Sequence, residues 1–94
     1  MFTVIHGDQV PESPDGLPAS QGIHAGNFVF LSAQCSADEQ GQIINGTMET
    51  EMRRTFANVR RVLGGAGLDL KDVVQVRCYL ADRNDIPELY PLIR

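Results

Sequence analysis

The sequence predicts an α+β fold in which helices lie on one face of a mixed sheet, in the order β-β-β-α-β-α. Three observations predict it. Phe28-Val29-Phe30-Leu31 is a near-continuous apolar run between the turn pair Gly26-Asn27 and the polar Ser32 and Gln34, which reads as a strand buried on both faces. Met48, Met52, Phe56, Val59, Leu63 and Ala66 recur at intervals of three and four, the stripe of an amphipathic helix. Val73 to Ala81 alternates, with Val74, Val76, Cys78 and Leu80 pointing one way and Val73, Gln75, Arg77 and Tyr79 the other. The open face or edge of so small a sheet is then left for another subunit to cover.

Size and composition set the outer bounds. Ninety-four residues make one domain, 1–94, with a thin core for which oligomerisation is a common remedy. Hydrophobic residues at 43% and charged residues at 21% are globular values, which argues against disorder. A net charge of −4 repels phosphate backbones, so nucleic acid is not an expected partner. MFTVIHGDQ has neither the basic start nor the apolar core of a signal peptide, and no apolar run is long enough to cross a bilayer. These features imply a cytoplasmic protein with no membrane partner. Cys35 and Cys78 then read as two reduced, buried thiols.

The elements follow in order. Phe2 to His6 is a short β-rich run. Gly7 to Pro18 is dense in Gly, Pro, Asp and Ser and reads as a surface loop, long enough to suggest function. Ala19 to Ala25 forms a hairpin with the Phe28 strand through Gly26-Asn27. Cys35 to Gly41 is a polar turn and Gln42 to Asn45 a weak strand. The long helix covers Thr47 to Ala66, with Thr47 as N-cap, Glu49 and Glu51 in the first turn, Glu49 paired to Arg53, and Gly67 as the residue that ends it. Leu68 to Asp72 is a short turn in which Asp69 caps the amides that follow. After the strand Val73–Ala81 and a loop at Asp82–Asp85, Asp85 and Glu88 suggest a capping box for a second helix with Ile86, Leu89, Tyr90 and Ile93 on its apolar face. Pro91 falls inside that helix, at a cost of about 3 kcal/mol.

Chemistry has few places to sit. His6, His24, Cys35 and Cys78 share no ligand spacing, so no metal is expected, and no nucleotide or nucleophile-elbow motif implies a cofactor. Gly64-Gly65-Ala66-Gly67 follows a helix instead of opening one, so it is a terminator and not a phosphate cradle. Arg53, Arg54, Arg60 and Arg61 read as a solvated helix face balanced by glutamates. No local motif supports a Ser/His/Asp triad. The hydroxyl of Ser32 and the amide of Gln34, at the end of a rigid strand, are the polar groups best placed to meet a ligand.

Ser20-Gln21-Gly22 followed by GNFVFLSAQ, the helix and strand FANVRRVLGGAGLDLKDVVQVRCYLAD, and NDIPELY together resemble the RidA (YjgF) family, from about Pro14 to Tyr90. The resemblance implies a chorismate-mutase-like fold, a homotrimer with ligand clefts between subunits, and hydrolysis of reactive enamines and imines such as 2-aminoacrylate to keto acid and ammonia. It carries over to Ser32 as the catalytic residue, with Ala33 and Gln34 beside it. The family's SGQ becomes Ser32-Ala33-Gln34, and the added methyl of Ala33 narrows the cleft. The tyrosine of the family's GPYS segment is Ala19, and an asparagine of the second helix is Tyr90. The carboxylate-gripping arginine of the family lies in a later PAR segment beyond Arg94. These substitutions imply a weak or altered activity, or a trimer that binds a small metabolite without turnover. Ribonuclease activity, a label attached to the family, is disfavoured by the acidic balance and the lack of a His pair.

Overall fold

The computed structural model describes residues 2–6 and 20–93. The loop expected at 7–18, and with it Ala19 and Arg94, lies outside the described residues. Strands β1 (Phe2–Val4), β2 (Gly22–Ala25) and β3 (Phe28–Leu31) form one antiparallel sheet in the order β1-β2-β3. Its register pairs Thr3 with His24, Val4 with Ile23, Ile23 with Phe30 and Gly22 with Leu31. Gly26 takes φ +60° and Asn27 stays at negative φ, so glycine occupies the first central position of the two-residue hairpin, where the left-handed region is required.

Residues opposite one another in such a sheet share a face. Ile5, Gly22 and Leu31 form one row, and helix α1 (Met48–Gly64) packs on it. The contact is tight at Gly22, where a Cβ would stand 2.9 Å from Ile5 Cδ1 and 3.0 Å from Val62 Cγ1. Ile5, Val62, Leu63 and Leu89 are the buried apolar residues of the described chain, and Val62 is wholly enclosed.

The opposite face carries Ile23, Phe28 and Phe30, and no helix among the described residues packs on it, leaving Phe28 and Phe30 61% and 62% exposed. This corrects the expectation that β3 is buried on both faces. An apolar run marks a strand that can be sandwiched, but the one long helix reaches only one side. The two phenylalanine rings lie 6.4 Å apart at a 42° tilt.

Local chemistry explains the ends of α1. Thr47 Oγ1 accepts from Thr50 N at 3.2 Å, and Glu51 reaches back to Gly46 N at 3.2 Å. Beyond Gly64, Leu68 N donates to Leu63 O and Gly67 N to Gly64 O, with Gly67 at φ +76°, the hydrogen-bond pattern of a Schellman stop. Asp69 and Asp72 cap a 3-10 turn over Leu70–Asp72 reciprocally, Asp69 Oδ1 accepting from Leu70 N at 2.7 Å and Asp72 Oδ2 from Asp69 N at 2.9 Å.

Two strands expected from the pattern do not form. Gln42–Asn45 contributes a single bridge, Ala37 to Ile43. Val73–Ala81 has no strand partner among the described residues, so the sheet is antiparallel and not mixed. The alternation survives in side-chain direction: Val76, Cys78 and Leu80 together line one hollow while Tyr79 is 84% exposed. Pairing is what is missing, because a period of two supplies a face but not a neighbour for the backbone. A 3-10 turn at Arg83–Asp85 then leads into α2 (Ile86–Ile93), which continues through Pro91. Asp82, and not Asp85, caps this stretch, accepting from Asn84 N at 2.9 Å. Leu89 is buried, Ile86 and Tyr90 are exposed, and the side chain of Ile93 lies outside the described residues. Cys35 and Cys78 are free thiols but exposed, contrary to expectation, since Cys35 follows the end of β3 and Cys78 sits on the unpaired segment.

Candidate functional site

The polar end of β3 is a three-residue cluster. The hairpin register places Gln21 opposite Ser32, and Ser32 N donates to Gln21 O at 2.9 Å. Gln34 Nε2 donates to Gln21 Oε1 at 2.8 Å, the short bond of the group. Ser32 Oγ is held more loosely: it lies 3.2 Å from Gln21 O, 3.4 Å from Gln21 Oε1 and 3.3 Å from Gln34 Nε2. Hydroxyl bonds are commonly about 2.7–2.8 Å long, so the Gln21–Gln34 pair is the frame and the serine hydroxyl the group that can exchange partners. Ser32 and Ala33 are exposed and Gln34 is half-buried. Ser32 and Gln21 extend the row that holds Phe28, Phe30 and Ile23, so the cluster stands at the rim of the uncovered apolar face.

The cluster sets limits on its own chemistry. Among the described residues no His, Asp or Glu hydrogen-bonds to Ser32, so none of them activates it as a nucleophile. It can donate one proton, accept through two lone pairs, and orient a water or a small polar group. Among the described residues no group of three or more His, Cys, Asp or Glu could hold a metal ion.

Ser32, Ala33 and Gln34 follow one another at the end of β3, whereas Tyr90 lies elsewhere in the single chain. Tyr90 lines an open hollow of about 520 Å³ with Val76, Cys78, Leu80, Arg83, Ile86 and Leu89, and none of the β3 residues lines it. Ala19 lies outside the described residues. Gln21 was not among the expected site residues. Its signal was available: a two-residue turn at Gly26-Asn27 pairs Ala25 with Phe28 and so, four residues back and four on, Gln21 with Ser32.

A second polar group supports this end from below. Asn58, on α1 and 9% exposed, donates from Nδ2 to Cys35 O at 2.9 Å and Ala37 O at 3.0 Å, and Arg61 Nη1 donates to Asn58 Oδ1 at 3.0 Å. Of the other helix arginines, Arg53 pairs with Glu49 at 2.7 Å and Arg60 with Asp69 at 3.0 Å. The carboxyl of Asp69 is held below its ordinary value, first by the Leu70 amide and then by the Arg60 guanidinium.

Comparison with known proteins agrees with the fold. The Mmf1 protein of yeast superposes with a TM-score of 0.86 over 99% of this chain and 73% of its own, at 24% identity, a likeness of fold. An Entamoeba histolytica protein of the endoribonuclease L-PSP type superposes with a TM-score of 0.83 over 99% of this chain and 74% of its own, at 28% identity. In sequence, the chain is 38% identical over 90 residues to a RutC family protein of Pyrococcus horikoshii, covering 95% of this chain and 70% of the relative. It is 28% identical over 78 residues to a 2-iminobutanoate/2-iminopropanoate deaminase of Dermatophagoides farinae, covering 82% of this chain and 61% of that enzyme. The family model described as Endoribonuclease L-PSP matches residues 15–92. With that match over most of its length, an α+β fold shared with solved members and a RutC relative at 38% identity, this chain belongs to the Endoribonuclease L-PSP, or RidA/YjgF, family.

Proposed function

We propose that this protein hydrolyses reactive enamine or imine carboxylates of the 2-aminoacrylate type to keto acid and ammonia, slowly, at a cleft closed by neighbouring copies of itself. The observation that carries the reading is the loosely held Ser32 hydroxyl, framed by Gln21 and Gln34 at the rim of an uncovered apolar sheet. The deaminase relative supplies the reaction class. Water adds to the imine carbon and forms the new C–O bond. The π pair moves to nitrogen, which takes up a proton. The carbinolamine then expels ammonia and leaves the carbonyl, so the balance is imine plus water to keto acid plus ammonia, with no redox change. Ser32 and Gln34 act by holding the water and the substrate nitrogen in line, which suffices for a substrate already prone to hydrolysis.

In this reading three copies meet through the Phe28–Phe30 face, and Ala33, Gln34, Tyr90 and Ala19 line the cleft together with Ser32. Neither nucleic acid nor a membrane is a partner, no cofactor is used, and the site of action is the cytoplasm. A second reading, a trimer that binds a metabolite without turnover, is favoured by the methyl of Ala33 and by the lack, among the described residues, of a titratable group bonded to Ser32.

The test couples the full chain to a lyase that generates 2-aminoacrylate and follows keto-acid release. Acceleration is expected, with Ser32→Ala reducing it about tenfold, the rate equivalent of one hydrogen bond. A ligand-induced rise in Tm without acceleration supports the second reading. A stable monomer of 10.3 kDa in sedimentation removes the shared cleft from both.

A further inference from the structure

We infer that Asn58 is a positioning residue for the polar tip of β3, and that Arg61 fixes the orientation in which Asn58 works. The inference rests on the reading of that tip as the ligand site. A carboxamide offers two donors and one acceptor. Asn58 spends both donors on backbone carbonyls two residues apart, Cys35 O at 2.9 Å and Ala37 O at 3.0 Å. The carbonyl between them, Ser36 O, accepts from Ile44 N at 2.8 Å, and Ser36 Oγ, itself buried, donates to Ile44 O at 2.7 Å. Three consecutive carbonyls are thus held from two directions, beginning one peptide after Gln34. Gln34 carries the short bond to Gln21 that frames the Ser32 hydroxyl. The tip is pinned to β2 at one end and to α1 at the other.

Arg61 is a donor only, one turn along the same helix. Its contact at 3.0 Å requires an oxygen, so it turns Oδ1 toward itself and the NH₂ group toward the two carbonyls. Of the two ways a carboxamide can sit, only this one gives every atom a partner. An apolar residue could fill the space but could not grip the carbonyls. Aspartate has the same shape but would set oxygen against oxygen.

The test uses the full, isotope-labelled chain and reads the side-chain amide resonances of Gln21 and Gln34 together with backbone hydrogen exchange. Asn58→Asp is expected to shift both side-chain resonances. It is also expected to speed exchange at Ile44, whose amide is bonded to Ser36 O, about tenfold relative to Ile5, the increase expected from losing hydrogen bonds locally. Arg61→Met, which keeps the aliphatic stem and both Asn58 donors, is expected to move the same signals by less, and it serves if Asn58→Asp does not fold. Unchanged Gln34 resonances in either folded variant, or exchange that rises equally at Ile5 and Ile44, overturns the inference. These readouts need no turnover. If the wild-type chain releases no keto acid yet the Gln34 signals move, the positioning role stands and the assigned activity falls.

Discussion

The two halves of the molecule are written in equally apolar patterns and reach different ends. In the first, β1 to β3 pair in a fixed register and α1 locks onto one face through Val62, which is fully enclosed. In the second, the Val73–Ala81 segment alternates as cleanly as any strand, yet Val74 is 89% exposed and the backbone finds no ladder among the described residues. The difference lies in neighbours. The hairpin brings its own partner within two residues, so the entropy of closing it is small, whereas a strand after a long helix must be met by something distant in sequence. Apolar alternation states where a segment could be buried, and the pairing decides whether it is.

Substitutions can break or sharpen this contrast. The largest effect is expected at Leu63, 5% exposed, where Leu63→Ala should cost about 2–5 kcal/mol in urea unfolding. Gly22→Ala should follow, at about 1–2 kcal/mol, because its Cβ would crowd Ile5 Cδ1 and the fully enclosed Val62. Acid should come next. The folded-state carboxyl of Asp69 is depressed, so its contribution is present above the ordinary aspartate value near 3.8 and is lost as pH falls through the lower folded value. Asp69→Asn should flatten that limb of a Tm-against-pH curve, and an unchanged limb means that other carboxylates govern it. The smallest effect is expected for Val74→Ser, within about 0.5 kcal/mol. A loss there as large as that of Leu63→Ala would mean that the second half is packed in solution and that the contrast is wrong.

What could be read from the sequence was what depends on near neighbours in the chain. Thr47, Gly67 and Asp69 do what their residue types do at helix and turn ends, and each of these roles follows from local backbone geometry. The trio Ser32-Ala33-Gln34 was legible as a polar tip because a strand ended there. The centre of the helix stripe was not. Periodicity marked Val59 and Leu63, while the buried row runs through Asn58, Val62 and Leu63. A polar Asn58 hides in that pattern because both its donors are satisfied by carbonyls more than twenty residues earlier in the chain. Asp82 took the cap assigned to Asp85 because a 3-10 turn precedes α2 and moves the helix entry upstream.

The hairpin at Gly26-Asn27 carries a constraint of parity. Side chains on β3 alternate strictly, so a one-residue slip of β3 against β2 would exchange its inner and outer sets. Leu31 would then meet solvent, the phenylalanines would turn toward α1, and the Ser32 hydroxyl would point at the helix instead of the rim. Loop editing at this corner keeps the site as long as the new turn holds Ala25 opposite Phe28, whereas a slip of one residue moves the chemistry to the wrong side of the sheet.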